Sequence, residues 1–236
     1  MRHKLLKLAG SIVVLGAGVA GYQTLRPPFW ETGAPLVGTS GPVALLDDLQ
    51  TNALGNGWKE RRFFRVTPTQ YQTTEDGGAR MLRCTTNNSA SILARDTDIA
   101  LSDLPILSWT WKVTEPIETA LDESTEAGDD HPLRFFLRFV NETGETWGSE
   151  IIWSNTKYAA GDYKIIGSFY HLVANDRDAA VDVWHDQTVD LRTLFRDIGG
   201  TGTPRLDVLG FFCDSDNTGA RSDGFFKDIT LSAPSN

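Results

Sequence analysis

Two aspartates carry the strongest case for chemistry in this chain. Asp130 lies in the run Gly128-Asp129-Asp130-His131, and Asp214 heads Asp214-Ser215-Asp216-Asn217-Thr218-Gly219. Cleaving a glycosidic bond takes two carboxyl groups ~5–10 Å apart, one protonated and one ionised. Asp130 and Asp214 are the pair that a hydrolase of this sequence would use. The second run also suggests a cation site. Oxygen-bearing side chains at alternate positions before a glycine resemble the start of a calcium loop, with Asp214, Asp216, Thr218 and Asp129 as ligands. An EF-hand is excluded, because its twelfth position needs a bidentate glutamate and here holds Phe225. Simpler structural roles weigh against both uses. Asp and Asn in a hairpin turn bond their own backbone, and a carboxylate paired with Arg134 or Arg138 pins a turn to a sheet. No cofactor is expected apart from calcium in that loop.

Aromatic side chains offer a third chemistry, stacking on sugar rings. The chain has seven tryptophans. Trp109 and Trp111 share a strand face with Leu107 and Val113, which reads as a core stripe. Trp147, in the polar turn Gly144–Gly148, and Trp153 are the ligand-binding candidates, with Arg134 as a polar partner. His171 and His185 fall in strand patterns without a metal-spaced partner and read as core-edge histidines. Gly16-Ala17-Gly18-Val19-Ala20-Gly21 spells a dinucleotide fingerprint, but Pro27-Pro28 cuts off the helix that would have to follow. No nucleophile elbow, zinc-protease helix motif or P-loop is present. A net charge of −9 repels phosphate backbones and excludes nucleic acid as a partner.

The elements that must position these residues are short and alternate with period two. In Ile106–Val113, Leu107, Trp109, Trp111 and Val113 share one face. In Leu133–Val140, Leu133, Phe135, Leu137 and Phe139 share one face while Arg134 and Arg138 point away. Further runs fall at 58–66, 79–86, 90–98, 149–155, 165–174, 180–185, 205–213 and 224–231, and only 189–198 reads as helical. This pattern predicts an all-β antiparallel sandwich over residues 43–233. Cys84 and Cys213 form no C-x-x-C. They would pair in an oxidising compartment or remain two buried thiols.

Residues 1–25 are basic and then apolar, and 26–42 are a Pro/Gly-rich tether. As an uncleaved helix, this segment would turn Leu8, Ile12, Leu15, Val19 and Tyr22 to the bilayer, with the domain on the extracytoplasmic, periplasmic side of an inner membrane. As a signal peptide, it would release a secreted domain after Ala20.

Several motifs occur in an order that resembles a known family: Trp109-Thr110-Trp111, Gly128-Asp129-Asp130 ahead of the Arg134/Arg138 strand, Trp153, and Asp214–Gly219 ahead of Phe225-Phe226-Lys227-Asp228-Ile229. The resemblance is to the bacterial domain of unknown function 3047 and covers about residues 45–232. It implies a jelly roll akin to galactose-binding and carbohydrate-binding modules, and implies no activity. The resulting expectation is a non-catalytic module held at a membrane, serving as a structural or accessory subunit of a larger membrane complex. The alternatives are a carbohydrate-binding module of the cell envelope and a glycoside hydrolase using Asp130 and Asp214.

Overall fold

The computed structural model describes residues 32, 34–38 and 41–235. The apolar segment with Leu8, Ile12, Leu15, Val19 and Tyr22 lies outside them. Among the described residues, no helix is long and apolar enough to cross a membrane.

The chain folds as two packed sheets, with strands numbered along the chain. The larger sheet holds β1 (Leu36–Gly38), β3 (Trp58–Arg62), β6 (Ser91–Ala100), β8 (Arg134–Val140), β9 (Thr146–Trp153), β10 (Tyr163–Ile166), β11 (Phe169–Asn175) and β13 (Arg205–Phe211). The smaller holds β2 (Val43–Ala44), β4 (Gln70–Asp76), β5 (Ala79–Asn87), β7 (Ile106–Glu115), β12 (His185–Asp190) and β14 (Arg221–Ser232). The larger runs β1-β6-β13-β8-β9-β11-β10, with β3 also on β6. The smaller runs β12-β7-β14-β5-β4, with β2 on β14.

Two ladders depart from the all-antiparallel expectation: β1 pairs with β6, and β11 with β9, in parallel. The second follows from one turn. After β9 the chain crosses to the sheet edge, lays down β10, and reverses at Gly167, whose φ of 59° favours glycine. β11 then inserts beside β9 running the same way. The run 165–174, which alternates like one strand, is therefore this hairpin. Of the run 180–185, residues 180–184 stay a loop with Val181 and Val183 exposed, and His185 opens β12. The predicted helix is α1 (Leu191–Asp197), capped by the Asp190 carboxylate, which accepts from Arg192 N at 2.8 Å.

The inner faces follow the alternation read from the sequence. Leu133, Phe135, Leu137 and Phe139 are fully buried, as are Leu107, Trp111 and Val113. Phe135 sits at the centre, its ring 5.0 Å from Phe226, 5.1 Å from Trp109 and 5.6 Å from Phe211. Truncating Phe135→Ala leaves a cavity between both sheets and should cost about 4 kcal/mol. Denaturant unfolding reads this directly, and a loss under about 1 kcal/mol would contradict the packing. Cys84 on β5 and Cys213 just beyond β13 are joined in a disulfide, Cα atoms 6.2 Å apart, which ties one sheet to the other.

Candidate functional site

If odd-numbered residues of β8 and β9 face the core, even-numbered ones face outward. Register then does the rest: Phe136 pairs with Glu150, Glu150 with His171, and His171 with Lys164. Paired residues share a face, so these four side chains form a row across β8, β9, β11 and β10 on the outer surface of the larger sheet. A cavity of about 520 Å³ opens over this row, walled by Phe63, Phe136, Phe169 and Phe212, with Arg134, Glu150, His171, Asp129 and Asp214 at its base. Phe169 comes close over β9 because residue 148 is glycine; a Cβ there would come within 2.7 Å of the ring.

Arg134 is the hub of the base. Nη1 donates to Glu150 Oε2 at 2.8 Å, Nη2 donates to Asp214 Oδ2, and Nε donates to the Phe212 carbonyl at 3.2 Å. The guanidinium also stacks 4.0 Å from the Phe212 ring centroid. Glu150 Oε2 is in turn 2.8 Å from His171 Nε2. Around Asp129 stand Lys164 Nζ at 2.6 Å, His131 Nε2 at 3.4 Å, His171 Nε2 at 3.5 Å and Arg134 Nη1 at 3.6 Å. Arg134, Glu150, His171, Lys164 and Asp214 are all buried. Such a network persists only because nearly every charge has a partner.

The environment splits the acids. Burial opposes ionisation of Asp129, but the His131 and His171 rings beside it and the charge of Arg134 outweigh it and hold this carboxyl well below the usual range. Glu150 is likewise held down, its burial overcome by Arg134 and His171. Asp214 goes the other way. Burial, reinforced by the Asp130 charge, raises it well above an ordinary aspartate despite Arg134.

Burial lowers His171, yet Asp129 and Glu150 outweigh that and raise it. A raised folded pKa stabilises fully below the unfolded value, ~6.5 for histidine, and that stability is lost as pH rises through the folded value. His171→Gln should therefore cost more at pH ~5.5 than at pH ~9. Denaturation midpoints at both pH values decide it; an equal or reversed gap means His171 is not held charged.

The sequence candidates are placed as follows. Asp214 and Arg134 join at the pocket base. Asp130 is fully buried and does not line the pocket; its carboxylate accepts from Thr218 N at 2.6 Å and Asn217 N at 3.3 Å. Oxygens of Asp130, Asp214 and Asp216 lie within 4.8 Å of one another, whereas Asp129 turns toward Lys164 and the Thr218 hydroxyl toward Ser215 O. Asp130 and Asp214 direct their oxygens to backbone N–H groups and Arg134. Trp153 is a core residue against Trp111 rather than a ligand platform, and Trp147 packs on Phe195 of α1, because odd positions of β9 face inward. Arg138 pairs with Asp207 and not with a buried aspartate, while Arg134 takes the buried role. His171 is a site residue, not a core-edge histidine. The missed residues are Glu150, Lys164, His171 and the phenyl walls. The one available signal was Phe136, an apolar residue between Arg134 and Arg138 on an otherwise polar face.

No curated protein matches the chain. Solved structures similar to it include the xyloglucanase domain of NopAA, a type three effector from Sinorhizobium fredii in complex with cellobiose. That one is 10% identical, covers 75% of this chain and 93% of that one, and has a TM-score of 0.43. Endoglucanase Cel12A from Rhodothermus marinus is 9% identical, covering 82% and 98%, with a TM-score of 0.41. The family 11 xylanase from Neocallimastix patriciarum is 11% identical, covering 84% and 98%, with a TM-score of 0.35. What the chain itself shows is a two-sheet β-sandwich. The expectation of a domain without catalysis is corrected to this extent: the solved structures similar to the chain are named as a xyloglucanase, an endoglucanase and a xylanase. At the level of sequence, a family profile matches residues 56–230, and the chain belongs to the family described as protein of unknown function, DUF3047.

Proposed function

We propose that the cavity over Arg134 binds a glycan chain and that the acids at its base cleave it. The observation that carries this reading is the make-up of the cavity, phenyl walls around a base of fixed charges. Sugar rings present apolar faces for aromatic contact and hydroxyls for charged hydrogen-bonding partners, and the volume falls within the ~300–1,000 Å³ of small-molecule sites. Glu150, held ionised, and Asp214, which burial keeps protonatable, grip the two ends of one guanidinium. Two carboxyl groups on one guanidinium suit the two-step route, in which Glu150 attacks the anomeric carbon as Asp214 protonates the departing oxygen, and water deprotonated by Asp214 then breaks the glycosyl–Glu150 bond. The setting we infer is extracytoplasmic, at a membrane and within a larger complex. Support for it comes from the basic-then-apolar order of residues 1–25; a membrane-fraction product lacking the mass of that segment would remove the tether.

The test is affinity electrophoresis and reducing-end release with soluble xyloglucan, β-glucan and xylan, using the full chain. Phe136→Ala should weaken retardation about tenfold, and Glu150→Gln should slow release by ~10²–10⁴ while the circular dichroism stays native. Retardation by none of the polysaccharides would remove the glycan reading. Release undiminished in Glu150→Gln would remove the catalytic one.

A further inference from the structure

Beside the cavity, Arg61-Arg62-Phe63-Phe64-Arg65 concentrates three arginines and two phenylalanines in a chain of net charge −9. The segment runs off the end of β3 into a turn closed by Val66 N donating to Phe63 O at 3.3 Å. Phe64 is at the apex and 86% exposed, the largest exposure among the exposed large apolar side chains. The residue after it, Arg65, has φ 63°, a left-handed position that favours glycine. Arg62 is neutralised by Glu60 at 2.7 Å. Arg61 and Arg65 have no carboxylate partner among the described residues; their guanidiniums lie 5.6 Å over Phe63 and 5.0 Å over Phe64.

We propose that this turn is a docking finger for an anionic lipid surface, with Phe64 entering the headgroup–acyl boundary and Arg61 and Arg65 against lipid phosphates. The chemistry is that of interfacial anchors, an apolar ring flanked by cations. Charge argues the same way. A basic tip on an acidic domain is attracted to an anionic surface while the remainder is repelled, so the tip sets which way the domain faces. A soluble polyanion would engage the arginines but offers Phe64 no apolar medium, so lipid is the occupant that uses every exposed group. Arg61, Phe63 and Val66 also line the cavity, so docking would bring the cavity mouth beside the bilayer. The inference does not rest on what the cavity binds.

The full chain tests this. With Cys84 and Cys213 joined, Phe64→Cys supplies one free thiol for an environment-sensitive dye. The protein is mixed with vesicles of phosphatidylcholine alone or with about 30% phosphatidylglycerol. The dye should shift to the blue and be quenched by brominated acyl chains on the anionic vesicles, and far less on neutral ones. The added pair Arg61→Glu and Arg65→Glu should weaken that response at least about tenfold. Dye emission on anionic vesicles equal to that in buffer overturns the proposal. So does a response to a soluble sulfated polysaccharide with none to vesicles. Arg65→Glu alone, whose side chain lies outside the cavity, should weaken docking without changing glycan retardation.

Discussion

Replacing Arg134 with methionine should cost about 5 kcal/mol at pH ~7, the upper end for breaking a buried ion pair. Asp129 and Glu150, both held ionised, and the carboxyl of Asp214 share this one guanidinium. Methionine fills much of the volume, so the loss reports stranded charge rather than a cavity. The sign of its pH dependence follows. Asp129 and Glu150 are depressed in the folded state; each contributes stability above its unfolded pKa of ~4, lost as pH falls through the folded value. Without Arg134 that depression shrinks, so mutant and wild type should converge on acidification. Arg134→Lys keeps the charge but not the fork and should fall between them. Guanidinium unfolding at neutral and acid pH measures this. A gap that is small at neutrality, or the same at both, would mean that Arg134 does not organise the base.

Removing the disulfide with Cys84→Ser and Cys213→Ser should cost about 4–5 kcal/mol, since the bond closes a loop of sequence separation 129. For a domain of this size that lowers the melting temperature by about 10–15 °C. Calorimetry with and without reductant should show the same drop in the wild type and none in the double mutant. A wild type indifferent to reductant would mean that the bond does not hold the sheets together.

Period-two alternation made the core legible: Leu107 to Val113 and Leu133 to Phe139 face inward as read. The site was only half legible, for a reason of the same kind. Alternation says which residues share a face of one strand, but not which strands become neighbours. Glu150 and His171 meet because β11 inserts beside β9 in parallel, an outcome set by the crossover and the Gly167 reversal. Asp130 and Asp214 drew notice because they stand in polar runs. Such runs are turns, and Asp130 serves its turn. Arg134 looked solvent-facing because outer positions of a sandwich are wet unless something covers them. Here Phe212, Phe136 and Phe169 do so, contributed by segments far apart in sequence.

The strand order bears on how the chain can be made. β13 stands between β6 and β8 in one sheet, and β14 between β5 and β7 in the other. Both lie after residue 204. A nascent chain that has emerged only to that point owns four half-sheets, each with an open edge where a strand is still to come. Cys84 then waits for a partner not yet synthesised. Such edges invite pairing with other chains. Neither sheet can be complete before β13 and β14 are made, and the bond between Cys84 and Cys213 must wait for residue 213.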